Sequence, residues 1–169
     1  TGHITPEVLS EALTEDTILL SCQLVNNEIG TVQPVEQLGK LLKAKAPKAL
    51  FHIDAVQGLC RVRLTPKKWN CDLMSVSGHK IGAPKGIGAL YVKKGLRLPP
   101  LTFGGGQERG LVSGTENTAG CIGLAAAMKE AVEGLDEKMG YVKKLTDKLV
   151  KGIMENIPYS HYTGDPVNR

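Results

Sequence analysis

The chain is 169 residues long, enough for one domain with a real core or for part of a larger one. Its 41% hydrophobic and 22% charged content is ordinary for a soluble globular protein, its net charge of +4 is mild, and only 4% of residues are aromatic. That balance argues against a nucleic-acid surface of interleaved basic and aromatic side chains, and no apolar run reaches the roughly 18–20 residues that cross a bilayer.

Thr1-Gly2-His3-Ile4 carries neither a charged n-region nor an apolar h-region, so no signal peptide is expected. The missing initial methionine suggests that the chain begins partway through a gene product. Thr5-Pro6-Glu7 has an N-cap residue, a proline for the first helical position and an acid in the first turn, which predicts a short helix through about Leu13. Thr17–Leu24 is a short, partly β-branched apolar run and reads as a buried strand. It ends in the polar loop Val25–Gly30. Pro34 opens a helix to about Ala46, with Val35, Leu38, Leu41 and Leu42 at helical spacing. Ala49–Ile53 is a second buried strand, ending at Asp54. Strand, helix and strand in this order make a βαβ unit with a parallel pair.

Cys71–Val76 supplies a third strand and Ile87–Lys93 a fourth. Their connection is too short for a parallel crossover, which takes about a dozen residues or more. The fourth strand is therefore expected to run antiparallel, giving a mixed sheet. Gly95–Thr118 is a long glycine-rich loop of the kind that is usually functional or mobile. From Asn117 to about Gly134, Ala119, Ile122, Leu124, Ala125 and Ala126 predict a well-buried helix. Asp136 to about Asn156 reads as a longer amphipathic helix with lysines on its wet face, stopped by Pro158. Cys22, Cys60, Cys71 and Cys121 are widely spaced, with no Cys-x-x-Cys pair or metal-ligand rhythm, and read as reduced thiols of a cytosolic protein. Cys22, Cys60 and Cys71 are expected to be packed thiols. Cys121 lies near a helix start.

The chemistry gathers at Ser75–Lys80, where a polar Ser-Gly-His-Lys follows directly on the third strand. A lysine at a strand end, beside a hydroxyl, an imidazole and flexible backbone, suits an amine that attacks a carbonyl carbon. Asn27 and Asp54 stand just past the ends of the first two strands, Gln57 follows Asp54, and Ser77 and His79 flank Lys80. Ligands of open α/β sheets bind in the crevice outside such ends. Taken singly, Asn27 also reads as a turn residue, Asp54 as a cap and His79 as a surface imidazole. Their convergence on one sheet edge gives the set its weight. No Gly-x-Gly-x-x-Gly or P-loop follows the first strand, which disfavours a plain nucleotide-binding module.

The segments VNNEIG (25–30), HIDAVQ (52–57), DLMSVSGHK (72–80), PKGIGALYV (84–92), GGGQERG (104–110) and SGT (113–115) have an order and spacing that resembles the cysteine desulfurases of the NifS and IscS type. The resemblance covers essentially the whole chain. It implies an α/β fold: the three-layer large domain of the aspartate-aminotransferase type, with a mixed, mostly parallel sheet flanked by helices and only partly present here. Residues 1–156 would be its central part, including the long connecting helix, and residues 157–169 the start of a smaller C-terminal domain. The implied reaction converts L-cysteine to L-alanine, with pyridoxal 5'-phosphate (PLP) as cofactor. The sulfur passes on as a persulfide toward iron–sulfur cluster assembly or thiolation.

Carried over by position, Lys80 would bind PLP covalently and later move the substrate Cα proton. Asp54 would pair with the pyridinium nitrogen and Gln57 with the phenolic oxygen, with Asn27 near that oxygen and the substrate carboxylate. Ser77 and His79 would hold the phosphate. Thr115 would reach the phosphate of a neighbouring subunit's cofactor, which implies a homodimer with shared active sites, and the expected location is cytoplasmic. A sulfur-acceptor protein is a further implied partner; neither metal, nucleic acid nor membrane is. Val112 departs from the pattern, since the family often has arginine there. The family's persulfide-forming cysteine and substrate-carboxylate arginine would follow Arg169, and its cofactor-stacking histidine would precede Thr1. A selenocysteine lyase, another enzyme on the same scaffold, and a non-catalytic segment or half of a split enzyme remain alternatives.

Overall fold

A computed structural model describes residues 2–169. Helix α1 spans Pro6–Ala12, and the Thr5 hydroxyl accepts from the Val8 amide at its start. Strand β1 is Leu19–Gln23, helix α2 Val35–Lys45, strand β2 Leu50–Asp54, strand β3 Leu73–Ser77 and strand β4 Gly88–Val92. The sheet order is β1-β2-β3-β4. The first three strands are parallel and β4 pairs antiparallel with β3, so the sheet is mixed as expected.

Strand alternation decides what each sheet face carries. Cys22, Phe51, Ile53 and Met74 point to the helical side and meet Leu38 and Leu42 of α2 in the core. Phe51, Ile53, Leu38 and Leu42 have no solvent exposure. Leu19, Ser21, His52, Asp54, Ser75 and Leu90 lie on the opposite face. That face is wetter, with Leu19 49% and Leu90 50% exposed.

A charged clamp holds the strands together at the end away from the Lys80 turn. Asp72, just before β3, is buried and accepts from Lys43 Nζ of α2 at 2.7 Å and Lys93 Nζ, just after β4, at 3.0 Å. The Phe51 amide donates to the same carboxylate at 3.0 Å. Burial alone pushes the Asp72 pKa up, but the two lysines and the amide outweigh it and leave it below the ordinary carboxylate value.

Helix α3 covers Thr118–Val132, opened by the Asn117 side chain accepting from the Gly120 amide at 2.9 Å. The expectation of a well-buried helix fails. Only Gly120 and Leu124 of α3 are buried, and Ile122 is 72% exposed. Its small apolar residues surround the helix axis instead of forming one stripe, so packing against the Gly78–Ile81 turn covers little of them. Helix α4 spans Leu135–Asn156; it is anchored at its start by buried Leu135 and by an exposed Arg63–Asp136 pair at 2.7 Å. Beyond α4 the chain returns to the loop after β1, where the Asp165 amide donates to Thr31 Oγ1 at 3.2 Å and the Val32 amide to the Asn168 carbonyl at 2.9 Å.

Candidate active site

Asn27, Asp54, Gln57, Ser77, His79 and Lys80 all stand at the C-terminal edge of the parallel strands or in the turns leaving it. Parallel pairing in register brings this about. Gln23, Asp54 and Ser75 are partners across three strands, so the three chains leave the sheet side by side. Asp54 is the last residue of β2 and Ser77 the last of β3.

The turn after β1 is built by Asn26, whose Oδ1 accepts from the Glu28 and Ile29 amides at 2.9 and 3.0 Å. This leaves the neighbouring Asn27 exposed on the loop. Asp54 is exposed too, and its Oδ1 accepts from the Val56 amide at 2.9 Å, which turns the chain toward Gln57. The cap-like and site readings of Asp54 are therefore compatible, because one carboxylate oxygen shapes the turn and the other faces away from that bond. The Asp54 peptide is held on both sides: the Leu24 amide donates to its carbonyl at 2.7 Å, and the Ala55 amide donates to the Ser75 carbonyl at 2.9 Å.

Residues Gly78–Ile81 form a single helical turn that places His79 and Lys80 on the surface. Ser77 Oγ and His79 Nδ1 are 2.8 Å apart, so the hydroxyl and imidazole act as one polar unit beside the lysine. Gly82 ends the turn at φ 86°, a left-handed conformation that suits glycine. The turn is backed by α3, where a Cβ on Gly123 would come within 2.8 Å of the Pro84 ring.

Thr115 lies apart from these strand ends, exposed on the loop leading into α3. That loop is irregular, as expected, and is tied by the Ser113 amide donating to Thr102 Oγ1 at 3.1 Å and the Gly114 amide to Gln107 Oε1 at 3.3 Å. The four cysteines are free. Burial raises the Cys22 and Cys71 thiols to about 11 and also raises Cys60, which suits packed, unreactive thiols. Cys121 is exposed on α3. Among the described residues no cluster of histidine, cysteine and carboxylate could hold a metal ion, and no helix is long and apolar enough to cross a membrane.

The sequence reading gave no role to a polar chain on the wet sheet face. His52 of β2 bridges Ser21 Oγ of β1 at Nδ1 (2.8 Å) and Ser75 Oγ of β3 at Nε2 (3.2 Å). The signal was present as Ser-x-Gln, His-x-Asp and Ser-x-Ser at matching strand positions, but it means nothing until the register is known.

Residues 1–168 match the family model described as Aminotransferase class-V. Cysteine desulfurase IscS of Methanosarcina thermophila is 44% identical over 168 residues, covering 99% of this chain and 41% of the relative. A solved NifS-like protein superposes with a TM-score of 0.87 at 45% identity, covering 91% of this chain and 42% of that one. The structure of SspA in complex with cysteine is 42% identical with a TM-score of 0.72, over 76% of this chain and 37% of that one. The chain thus spans about two-fifths of the length of these relatives.

Proposed function

This chain belongs to the aminotransferase class-V family, and from that premise we propose that it is the central part of a PLP-dependent cysteine desulfurase. The observation that carries the reading is the convergence of an amine, a carboxylate, an amide and a paired hydroxyl and imidazole on one edge of one sheet. The donor set fits PLP. An aldehyde, a ring nitrogen, a phenolic oxygen and a phosphate need an amine, a carboxylate, an amide and neutral or cationic donors respectively.

PLP, when bound, supplies a ring that takes up the electron pair released at the substrate's Cα. Lys80 would hold the cofactor through its amine and would move the proton at the substrate's Cα. Asp54, whose Oδ1 accepts from the Val56 amide, would keep a proton on the ring nitrogen. Gln57 would orient the phenolic oxygen, Asn27 would lie near that oxygen and the substrate carboxylate, and Ser77 with His79 would hold the phosphate. Thr115, exposed on its loop, serves the site of a second subunit in a homodimer.

The substrate is L-cysteine, supported by the desulfurase relatives and by the cysteine-bound SspA structure. The products are L-alanine and a persulfide sulfur destined for an acceptor protein in iron–sulfur cluster or thiolation pathways. By the resemblance, none of the four cysteines is the thiol that takes the sulfur, which would lie outside residues 1–169. Residues 1–156 form the central part of the large domain, and 157–169 begin the small one. The free thiols fit a reducing compartment such as the cytoplasm.

The test is the visible spectrum of the full-length gene product with PLP, followed by borohydride reduction and peptide mapping. A visible band and a reduced adduct on Lys80, both lost in Lys80→Ala, are the expected result. An adduct on another lysine, or none in a folded protein, would overturn the reading.

A further inference from the structure

The Ser21–His52–Ser75 chain lies one step below the proposed ligand edge, on the same sheet face as Asp54. Resting on the reading above, we propose that His52 is a positioning residue that acts on Asp54 through Ser75.

The argument runs through bonds already described. Ser75 is the registered partner of Asp54 on β3, and its carbonyl accepts from the Ala55 amide, the peptide that follows Asp54. Neighbouring strands lie about 4.8 Å apart, so the Ser75 and Asp54 side chains rise beside each other. The Ser75 hydroxyl is in turn held by His52 Nε2, and the ring is held from its other side by Ser21 at Nδ1. A neutral imidazole has one donor and one acceptor nitrogen. Whichever nitrogen carries the proton, the other accepts: the serine at the accepting nitrogen aims its hydroxyl at the ring, and the serine at the N–H has its oxygen held by it. Either way the ring holds the Ser75 oxygen in place next to the carboxylate that would hold the ring nitrogen. Half-buried His52 does this with no charge of its own required.

The geometry of asparagine and glutamine separates this role from simple cross-strand bracing. An asparagine amide lies where Nδ1 lies and keeps the Ser21 contact. A glutamine amide reaches the Nε2 position and keeps the Ser75 contact. Both offer a donor and an acceptor. In the full-length gene product, PLP dissociation constants are measured by titrating the visible band, alongside thermal midpoints of the PLP-free protein. The expected result is that His52→Gln stays within about twofold of the unsubstituted protein. His52→Asn and Ser75→Ala weaken PLP binding roughly tenfold, on the scale seen when the partner behind a metal-bound histidine is removed. The thermal midpoints of His52→Gln and His52→Asn should nevertheless agree.

Dissociation constants that simply follow the thermal midpoints, or that are equal in His52→Gln and His52→Asn, would overturn the proposal. A Lys80 adduct that forms normally in the unsubstituted protein in those same samples would leave the wider site reading standing. Absence of that adduct would bring down both.

Discussion

The two halves of the molecule treat their apolar residues in opposite ways. Between α1 and β3, one side of the sheet and the faces of two helices close over Phe51, Ile53, Leu38 and Leu42 until no water reaches them. In α3 and α4 the apolar residues are as plentiful but stay wet: Ile122 is 72% exposed and Leu149 63%. Helix propensity is satisfied in both halves, whereas burial is satisfied only in the first. Within residues 2–169 taken by themselves, free energy is concentrated in the first half, and opening of this segment will be graded from α4 inward rather than uniform.

The contrast is broken most severely at its centre. Phe51→Ala should destabilise the protein by about 3–5 kcal/mol, since the emptied site lies between a sheet and a helix that cannot both collapse into it. Urea unfolding of the full-length product measures it, and a loss under about 1 kcal/mol would mean the core is looser than its burial implies.

The Asp72 clamp comes next. Asp72→Asn should cost about 2 kcal/mol at neutral pH, because it leaves the ends of Lys43 and Lys93 without their common carboxylate. The folded-state pKa of Asp72 lies below its ordinary value, so the stabilisation is present above about pH 4 and fades as pH falls through the folded value. Stability curves of the two proteins should converge in acid. A gap that stays the same size however far the pH falls would show that the clamp acts by shape rather than charge.

An effect of similar size, about 1–3 kcal/mol, is expected for Gly39→Ala on α2, where an added Cβ would press into the Trp69 carbonyl and the Phe51 ring. The smallest belongs to the other half. Leu149→Ala on α4 should change the unfolding free energy by less than about 0.5 kcal/mol. Hydrogen exchange should show β2 amides protected longest and mid-α4 amides exchanging first, and equal protection in the two would erase the contrast.

The legibility of the sequence follows the same division. Helix α2 and strands β1 to β3 were readable because their apolar residues report a real buried face, whereas β4, which buries no residue, was readable as a short apolar run. The short β3–β4 connection gave the antiparallel pairing. Lys80, Asp54 and Asn27 were readable because polar residues at strand ends already mark an edge. The Asp72 clamp was not, since its partners lie 29 and 21 positions away in sequence. His52 looked like an ordinary strand residue for the same reason: only pairing in three dimensions puts it between two serines. The misreading of α3 has a different cause. Small apolar side chains record what a helix could tolerate against it, and composition alone does not say whether anything is there.

The returning tail gives the Asn27 loop a distant brace. His3 Nε2 and Asp165 Oδ2 lie 3.5 Å apart, and Thr31 and Val32 are bonded to the same tail segment. This knot joins residues from nearly opposite ends of the chain, so its loop-closure entropy is among the largest in the molecule. The turn bearing Asn27 closes locally through Asn26, as the strand edge bearing Asp54 and Lys80 does through its neighbours. What depends on distant sequence is the brace behind that turn, where Thr31 and Asp165 stand 134 positions apart.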